Sequence, residues 1–232
     1  MQQEFSWQDE LRKASLSNRT IFSTSFSIED QVITDFIADQ KLSVDIFTID
    51  TGRLPSETYQ VWQRTVDKYQ IKISAYYPHQ DSIEKFVTTN GINPFYVSKE
   101  MRLQCCNIRK IEPLKRALYG YELWISGIRR EHSSGRGQKN FYERDESLSI
   151  IKFYPLLEMK EGEVWEIIKN RNIPYNELYN KGYRSIGCDP CSRAIKEGDD
   201  IRSGRWWWES DEAKECGLHM VGGKMVRSKS PS

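Results

Sequence analysis

The 232-residue sequence lacks an excess of either charge, since 34 Lys and Arg residues are balanced by 33 Asp and Glu residues. The resulting net charge of +1 does not favour binding to nucleic acid. No apolar run reaches the roughly 20 residues that a membrane-spanning helix requires, and the first residues have neither the basic nor the apolar region of a secretory signal. We therefore expect a cytoplasmic protein with no membrane partner.

Strand and helix patterns alternate along the chain, which predicts parallel strands joined by helical crossovers. The predicted strands are residues 19–22, 43–49, 71–76, 123–126 and 150–154, and the predicted helices are 5–17, 28–38, 55–69, 81–89, 109–118 and a helix around 164–168. This order predicts an α/β fold with a doubly wound, mainly parallel sheet. We expect residues 1–186 to form the α/β domain, with residues 187–232 as an irregular C-terminal extension packed on it.

The glycine-rich loops of P-loop and dinucleotide-binding proteins are also lacking, so neither ordinary nucleoside triphosphate hydrolysis nor nicotinamide binding is indicated. Polar turns instead follow three predicted strands, at residues 23–27, 50–53 and 127–136. Ligands of open parallel sheets bind outside the carboxyl ends of the strands, so we expect these turns to lie together. The first turn precedes a helix and suits an anion, although an ordinary helix cap is the simpler interpretation.

Residues 127–140 are rich in Gly, Ser and Arg, which predicts a mobile loop. Its arginines, Arg129, Arg130 and Arg136, have two interpretations. They are either solvated charges or a clamp for a phosphate group.

Four of the five cysteines form two pairs, Cys105-Cys106 and Cys188-Asp189-Pro190-Cys191. In a reducing compartment, paired cysteines indicate metal ligands or redox groups rather than structural disulfides. Consecutive side chains diverge by about 100° on a helix, so the two thiolates of the first pair are difficult to direct at one zinc ion. A [4Fe-4S] cluster offers each thiolate a separate iron and is the site that we favour. A four-cysteine zinc site and two unrelated buried thiol pairs stay open as alternatives.

The fifth cysteine, Cys216, has no cysteine nearby and is followed closely by His219, with Arg202 and Arg205 upstream. Neighbouring cations lower the pKa of a thiol and neutralise an anionic substrate, so Cys216 is a candidate nucleophile. A surface side chain is the simpler interpretation of His219, and a packed anchor is the simpler interpretation of the tryptophans at 206–208.

Together these motifs resemble the assimilatory adenylyl-sulfate reductases, the iron–sulfur branch of the phosphoadenylyl-sulfate reductase family. The resemblance covers nearly the whole chain and rests on residues 25–30, 50–54, 105–110, 187–191 and 215–219. It implies an adenine nucleotide alpha hydrolase-like fold, in agreement with the alternation of strands and helices.

The resemblance implies reduction of adenosine 5′-phosphosulfate to sulfite and AMP, in sulfate assimilation and cysteine biosynthesis. Cys216 would attack the sulfur of the sulfonate group, AMP would leave, and reduced thioredoxin would release sulfite from the S-sulfocysteine. Because the sequence stops soon after Cys216, we expect thioredoxin to be a separate protein. The oligomeric state is open, with a homo-oligomer as one option.

The resemblance also implies roles for individual residues. One [4Fe-4S] cluster would be bound by Cys105, Cys106, Cys188 and Cys191. Lys110 would link the cluster to the substrate electrostatically, and His219 would lie near the nucleophile. The phosphosulfate would contact Arg136, Arg202 and Arg205. The adenosine side would contact Ser25, Ser27, Asp50, Thr51, Gly52 and Arg53.

Three other functions stay open. The first is a dual reductase that also accepts the 3′-phosphorylated substrate. The second is a zinc-stabilised sulfur-transfer or tRNA-thiolation protein on the same sheet. The third is a non-catalytic metal-binding module in which Cys216 acts as a redox sensor.

Overall fold

The structure is a computed structural model that describes residues 5–17, 19–132 and 139–209. Six strands form one sheet in the order β3-β2-β1-β4-β6-β5. The strands are β1 (Thr20–Ser23), β2 (Asp45–Ile49), β3 (Ser74–Tyr76), β4 (Leu123–Ile125), β5 (Tyr142–Asp145) and β6 (Ile150–Phe153). All neighbouring strands are parallel except β5 and β6. The predicted doubly wound, mainly parallel sheet is therefore confirmed.

Seven α-helices surround the sheet in the described part of the chain. They are α1 (Trp7–Ala14), α2 (Ile28–Asp39), α3 (Ser56–Tyr69), α4 (Gln80–Asn90), α5 (Lys99–Cys106), α6 (Glu112–Leu118) and α7 (Glu161–Asn170). A π-helical segment, Asn107–Ile111, joins α5 directly to α6. Pro113 lies just after this segment, at the start of α6, and lacks the N–H that would continue the helical hydrogen bonds. No helix in the described ranges combines the length and apolarity needed to cross a membrane.

The two faces of the sheet are buried by different helices because side chains alternate along each strand. Phe22 of β1 packs with residues of α1, α2 and α7, whereas its neighbour Ile21 packs with residues of α6. Each large apolar side chain that is fully buried contributes about 1.5–3 kcal/mol. The sheet is thereby packed between two helical layers.

Two elements differ from the prediction. Strand β5 was not predicted because its four residues include three charged side chains and lie at the sheet edge, where apolar alternation is not required. Helix α5 lies in a stretch that was predicted to be irregular, and it begins where Ser98 accepts a hydrogen bond from the N–H of Met101. The first cysteine pair therefore ends a helix.

Candidate active site

A cavity of about 280 Å³ opens at the carboxyl ends of β1, β2 and β4. Its wall includes residues at or just after the end of each of these strands: 23–27 at the end of β1, Thr51 after β2, and 126–128 after β4. We call it the strand-end cavity. Two of the three turns grouped by sequence thus line it through several residues, and the third contributes Thr51.

The turn after β1 is shaped by hydrogen bonds to the start of α2. Asp30 Oδ2 accepts hydrogen bonds from both the N–H and the hydroxyl of Ser25, each at 2.7 Å. Ser27 caps α2, its hydroxyl oxygen accepting from the N–H of Asp30 at 3.2 Å. Burial raises the pKa of Asp30 to about 6, although the hydrogen bonds from Ser25 oppose the shift. Ser25 and Ser27 line the cavity, and Ser27 is also the helix cap that was the simpler interpretation.

Gly127, which follows β4, packs directly on this turn. A Cβ atom at Gly127 would lie 2.3 Å from Asp30 Oδ1 and 3.2 Å from the Asp30 backbone nitrogen. Real Cβ atoms essentially never come within 3.0 Å of another atom, so a side chain at this position would force Asp30 to shift. The preference for glycine here arises from tertiary contact and leaves no local signal in the sequence.

The prediction of a mobile loop is wrong for residues 127–132. Ile128 is buried, and Arg129 is only 1% exposed. Arg129 pairs with Glu29 and with Glu131, both at 2.7 Å, and Arg130 pairs with Glu158. Arg129 binds carboxylates inside the protein, so neither interpretation holds for it. Arg130 is 32% exposed and pairs with the exposed Glu158, which is consistent with a solvated charge. Arg136 lies outside the described residues.

Of the turn after β2, only Thr51 lines the strand-end cavity. Asp50 Oδ1 accepts hydrogen bonds from the N–H of Gly52 at 2.8 Å and from the hydroxyl of Tyr59 at 2.9 Å. Arg53 donates to the Ile92 carbonyl at 3.0 Å and points toward the second cavity described next. The structure therefore does not bring Asp50, Gly52 and Arg53 to the cavity wall, and their substrate-binding role stays a prediction.

A second, smaller cavity of about 20 Å³ is lined by all four paired cysteines. We call it the cysteine cavity. Cys105 and Cys106 end α5, while Cys188 and Cys191 flank a single turn closed by a hydrogen bond from the Cys191 N–H to the Cys188 carbonyl at 2.9 Å. The remaining lining residues are four cations and three apolar side chains: Arg53, Arg102, Arg109, Lys110, Phe95, Pro190 and Trp206. Folding thus brings together two cysteine pairs that are far apart in sequence.

The electrostatics of the thiols follow from this burial. Burial, with a smaller contribution from the nearby Cys188, raises the pKa of Cys191 to about 12. Burial also raises the pKa of Cys105, opposed by the guanidinium of Arg109. Burial therefore favours the neutral thiols, and the neighbouring cations Arg109, Lys110 and Arg205 oppose this effect. Across residues 5–17, 19–132 and 139–209, no three His, Cys, Asp or Glu side chains are arranged to bind a single metal ion.

The two cavities share a wall. Lys110 and Cys188 line both of them, and the Thr51 hydroxyl lies 3.3 Å from the Cys188 sulfur. The structure therefore places Lys110 between the thiols and the strand-end cavity. Its electrostatic role stays a prediction.

Arg202 and Arg205 line the strand-end cavity from the C-terminal extension. The Nε of Arg205 donates to the Cys191 carbonyl at 2.9 Å. Its Nη2 is buried and has no hydrogen-bond partner among the described residues. A Cβ atom at Gly187 would lie 2.2 Å from this Nη2, so glycine provides the space for the guanidinium. An orphaned, buried donor in a cavity wall is suited to an anionic ligand.

Sequence reasoning missed the segment just before Cys188. Arg184, Ser185 and Tyr179 line the strand-end cavity, and Arg184 pairs with Glu161 at 2.7 Å. In the sequence, the only indication of a role for these residues was their position a few residues before Cys188, a predicted cluster ligand. Cys216 and His219 lie outside the described residues.

Known proteins are similar to this chain in sequence and in fold. The sequence matches the phosphoadenosine phosphosulfate reductase domain over residues 19–194. It is 47% identical over 199 residues to an adenosine 5′-phosphosulfate reductase of Allochromatium vinosum, covering 86% of this chain and 78% of that protein. It is 46% identical over 199 residues to the enzyme of that name from Neisseria meningitidis serogroup B, covering 85% and 81% respectively. The crystal structure of a phosphoadenylyl-sulfate reductase from Candida auris, in complex with phosphate, is similar with a TM-score of 0.70 and 29% identity, covering 83% of this chain and 91% of that chain.

Proposed function

The chain belongs to the phosphoadenosine phosphosulfate reductase family, and from this membership we propose that it reduces adenosine 5′-phosphosulfate to sulfite and AMP in sulfate assimilation. The relatives named as adenosine 5′-phosphosulfate reductases support this choice of substrate. One observation of the structure carries the proposal. A cavity lined by four cysteines shares its wall with a cavity large enough for part of a nucleotide, through Lys110 and Cys188.

The donor set of the cysteine cavity fits one [4Fe-4S] cluster. Four thiols and no other metal-binding side chain line it, and four cations surround them: Arg53, Arg102, Arg109 and Lys110. Cys105, Cys106, Cys188 and Cys191 would hold the cluster, and the cations would compensate the charge of the four thiolates. When bound, the cluster supplies a fixed charge beside the substrate and a cross-link between α5 and the 188–191 turn.

The reaction needs a thiolate nucleophile and cations that stabilise the leaving group. The Cys216 thiolate attacks the sulfur of the sulfonate group, and the sulfur–oxygen bond to the phosphate breaks, leaving AMP and an S-sulfocysteine. Lys110, Arg202 and Arg205, all in the wall of the strand-end cavity, stabilise the charge that develops on the AMP phosphate. His219 assists at the nucleophile.

A reduced thioredoxin completes the cycle. One of its thiolates attacks the Cys216 sulfur, and sulfite leaves with the electron pair of the broken sulfur–sulfur bond. The second thiol of thioredoxin then resolves the mixed disulfide, so Cys216 returns to its thiol form and thioredoxin becomes oxidised. Both electrons come from thioredoxin, so no electron has to come from the cluster.

Intact-mass spectrometry tests the proposal directly. Protein purified without oxygen is mixed with adenosine 5′-phosphosulfate in the absence of thioredoxin, and the expected products are free AMP and a sulfonate adduct that is missing in Cys216→Ser. Unmodified wild-type protein that retains its iron would overturn the covalent mechanism.

Two further measurements separate the alternatives. A parallel sample with the 3′-phosphorylated substrate measures whether the enzyme is dual in specificity. Iron and acid-labile sulfide analysis distinguishes a cluster from a zinc site, because a zinc protein contains neither.

A further inference from the structure

A buried ion pair joins the helix of the first cysteine pair to the C-terminal extension. Arg102 Nε lies 2.8 Å from Glu209 Oε1, and Arg102 Nη2 lies 2.8 Å from Glu209 Oε2. The two side chains are only 1% and 9% exposed. Removing two charges from water is costly, and replacing such a pair with apolar residues often stabilises a protein. General stability is therefore a weak explanation for this pair.

The Arg102 end of the pair belongs to the cysteine cavity. Arg102 lies three and four residues before Cys105 and Cys106 in α5, so all three residues share one face of the helix. Arg102 lines the cysteine cavity together with both thiols. Any rearrangement of those thiols therefore reaches Arg102 directly.

The Glu209 end belongs to the segment that leads to the candidate nucleophile. Trp206 is fully buried, and the centroid of its ring lies 4.6 Å from the guanidinium carbon of Arg102 and 4.8 Å from that of Arg205. Arg205 in turn lines the strand-end cavity. Contacts through Trp206 thus link the cysteine helix to the wall of the strand-end cavity, beside the ion pair.

The length of chain beyond Glu209 limits where Cys216 can be. Cys216 is seven positions after Glu209 in the sequence, and such a segment spans at most about 25 Å when fully extended. Holding Glu209 in place therefore raises the effective concentration of Cys216 at the substrate, whereas releasing it lowers that concentration.

We propose that the Arg102–Glu209 pair is a positioning device that couples the cysteine cavity to the placement of Cys216. The inference rests on the proposed function of Cys216. In the loaded protein, α5 holds Arg102, which holds Glu209 and sets the start of the segment to Cys216. Loss of the cluster releases this chain of contacts and slows the covalent step, so the cluster supports catalysis without transferring electrons.

Glu209→Gln tests the device because it keeps the side-chain shape and removes the charge that Arg102 needs. We expect the single-turnover rate constant for adduct formation to fall about 10- to 100-fold, while the Kd of the substrate and the iron content change less than about twofold. Glu209→Asp keeps the charge and should recover part of the rate. A wild-type rate constant in Glu209→Gln would overturn the proposal.

Asp145→Asn is the matched control, because Asp145 and Lys152 form another buried ion pair, 6% and 8% exposed, that lines neither cavity. We expect it to lower thermal stability while leaving the rate constant unchanged. If Asp145→Asn lowered the rate constant equally, general destabilisation would explain the effect of Glu209→Gln, and a positioning role would be contradicted.

Hydrogen exchange supplies a readout that does not depend on activity. The Glu209 N–H donates to the Trp206 carbonyl at 2.9 Å, so its protection reports on this turn. We expect iron-free wild type and iron-loaded Glu209→Gln both to lose protection over residues 206–209. Equal protection in all forms would overturn the coupling. If wild type forms no adduct on Cys216, the proposed function fails while this measurement still tests the coupling.

Discussion

The strand-end cavity and the cysteine cavity adjoin each other but are built in different ways. The first is formed where three neighbouring parallel strands end, and its wall is mostly neutral side chains and backbone. The second is formed by two distant segments whose thiols, cations and aromatic side chains pack together. Sheet topology places the first cavity, whereas side-chain packing places the second. Substitutions in the first should therefore change binding, and substitutions in the second should change assembly as well as catalysis.

The largest effect is expected for Cys188→Ser, because Cys188 lines both cavities. A hydroxyl is a poor substitute for a thiolate ligand, so we expect loss of bound iron and of detectable sulfite formation. Ser126→Ala, which changes only the strand-end cavity, should weaken substrate binding with normal iron content. Iron analysis and a sulfite assay measure both variants. If Cys188→Ser retained the iron content of the wild type, the cysteine cavity would not be needed for iron binding, and the two cavities would not differ in this way.

Lys110→Ala sharpens the comparison at the shared wall. Removing one preorganised cation from the site should lower kcat/KM about 100-fold, with iron content retained. The control is Lys115→Ala, since Lys115 is an exposed cation on α6 that lines neither cavity. Equal kinetics in the two variants would show that Lys110 has no electrostatic role at the wall.

Asp30→Asn tests the buried carboxyl of the strand-end cavity. Burial raises the pKa of Asp30 from 3.8 to about 6. The folded state thus binds the proton more tightly than the unfolded state, so this contribution to stability is present at low pH and is lost as pH rises through about 6. The loss is on the order of 3 kcal/mol.

Denaturant unfolding at pH 4 and pH 7 measures this contribution. We expect Asp30→Asn to remove the corresponding part of the pH dependence, whereas Asp81→Asn, at an exposed position, should keep it. Identical pH profiles for wild type and Asp30→Asn would refute the assignment.

Gly127→Ala should have the smallest effect. The added Cβ would clash with Asp30, and overpacking of this kind costs about 1–3 kcal/mol. Substrate binding should weaken while iron content stays normal. Gly162→Ala, on α7, adds a Cβ that meets nothing within 4 Å and should leave stability equal or slightly higher. Thermal unfolding compares the two variants. Equal stability would show that a Cβ at position 127 does not clash with Asp30.

Local patterns predicted much of the fold but less of the site. The alternation of strand and helix patterns predicted β1 and β2, and the polar turns after them indicated where the strand-end cavity lies. The four cysteines meet in one cavity, while their role as ligands stays a prediction. The assignment of Arg202 and Arg205 to the substrate is also still a prediction, although both line the strand-end cavity.

The remaining features depend on contacts between distant residues. Arg102 and Glu209 are 107 positions apart, and no local pattern links two such charges. The need for glycine at position 127 arises only when α2 packs beside it. Arg129 looked solvent-exposed among polar neighbours, but Glu29 binds it inside the protein. In each case the decisive partner lies far away in sequence.

The π-helical segment Asn107–Ile111 has a consequence for how this chain tolerates insertions and deletions. A π turn contains one residue more than the corresponding α turn, and one residue rotates a helix by about 100°. Deleting one codon here would turn α5 and α6 relative to each other by that angle. Because Leu114, Ala117 and Leu118 hold α6 against the sheet, the rotation would carry Cys105 and Cys106 away from the 188–191 turn. The extra residue thus allows one continuous helical run to direct its thiols at the 188–191 turn and its apolar side chains at the sheet.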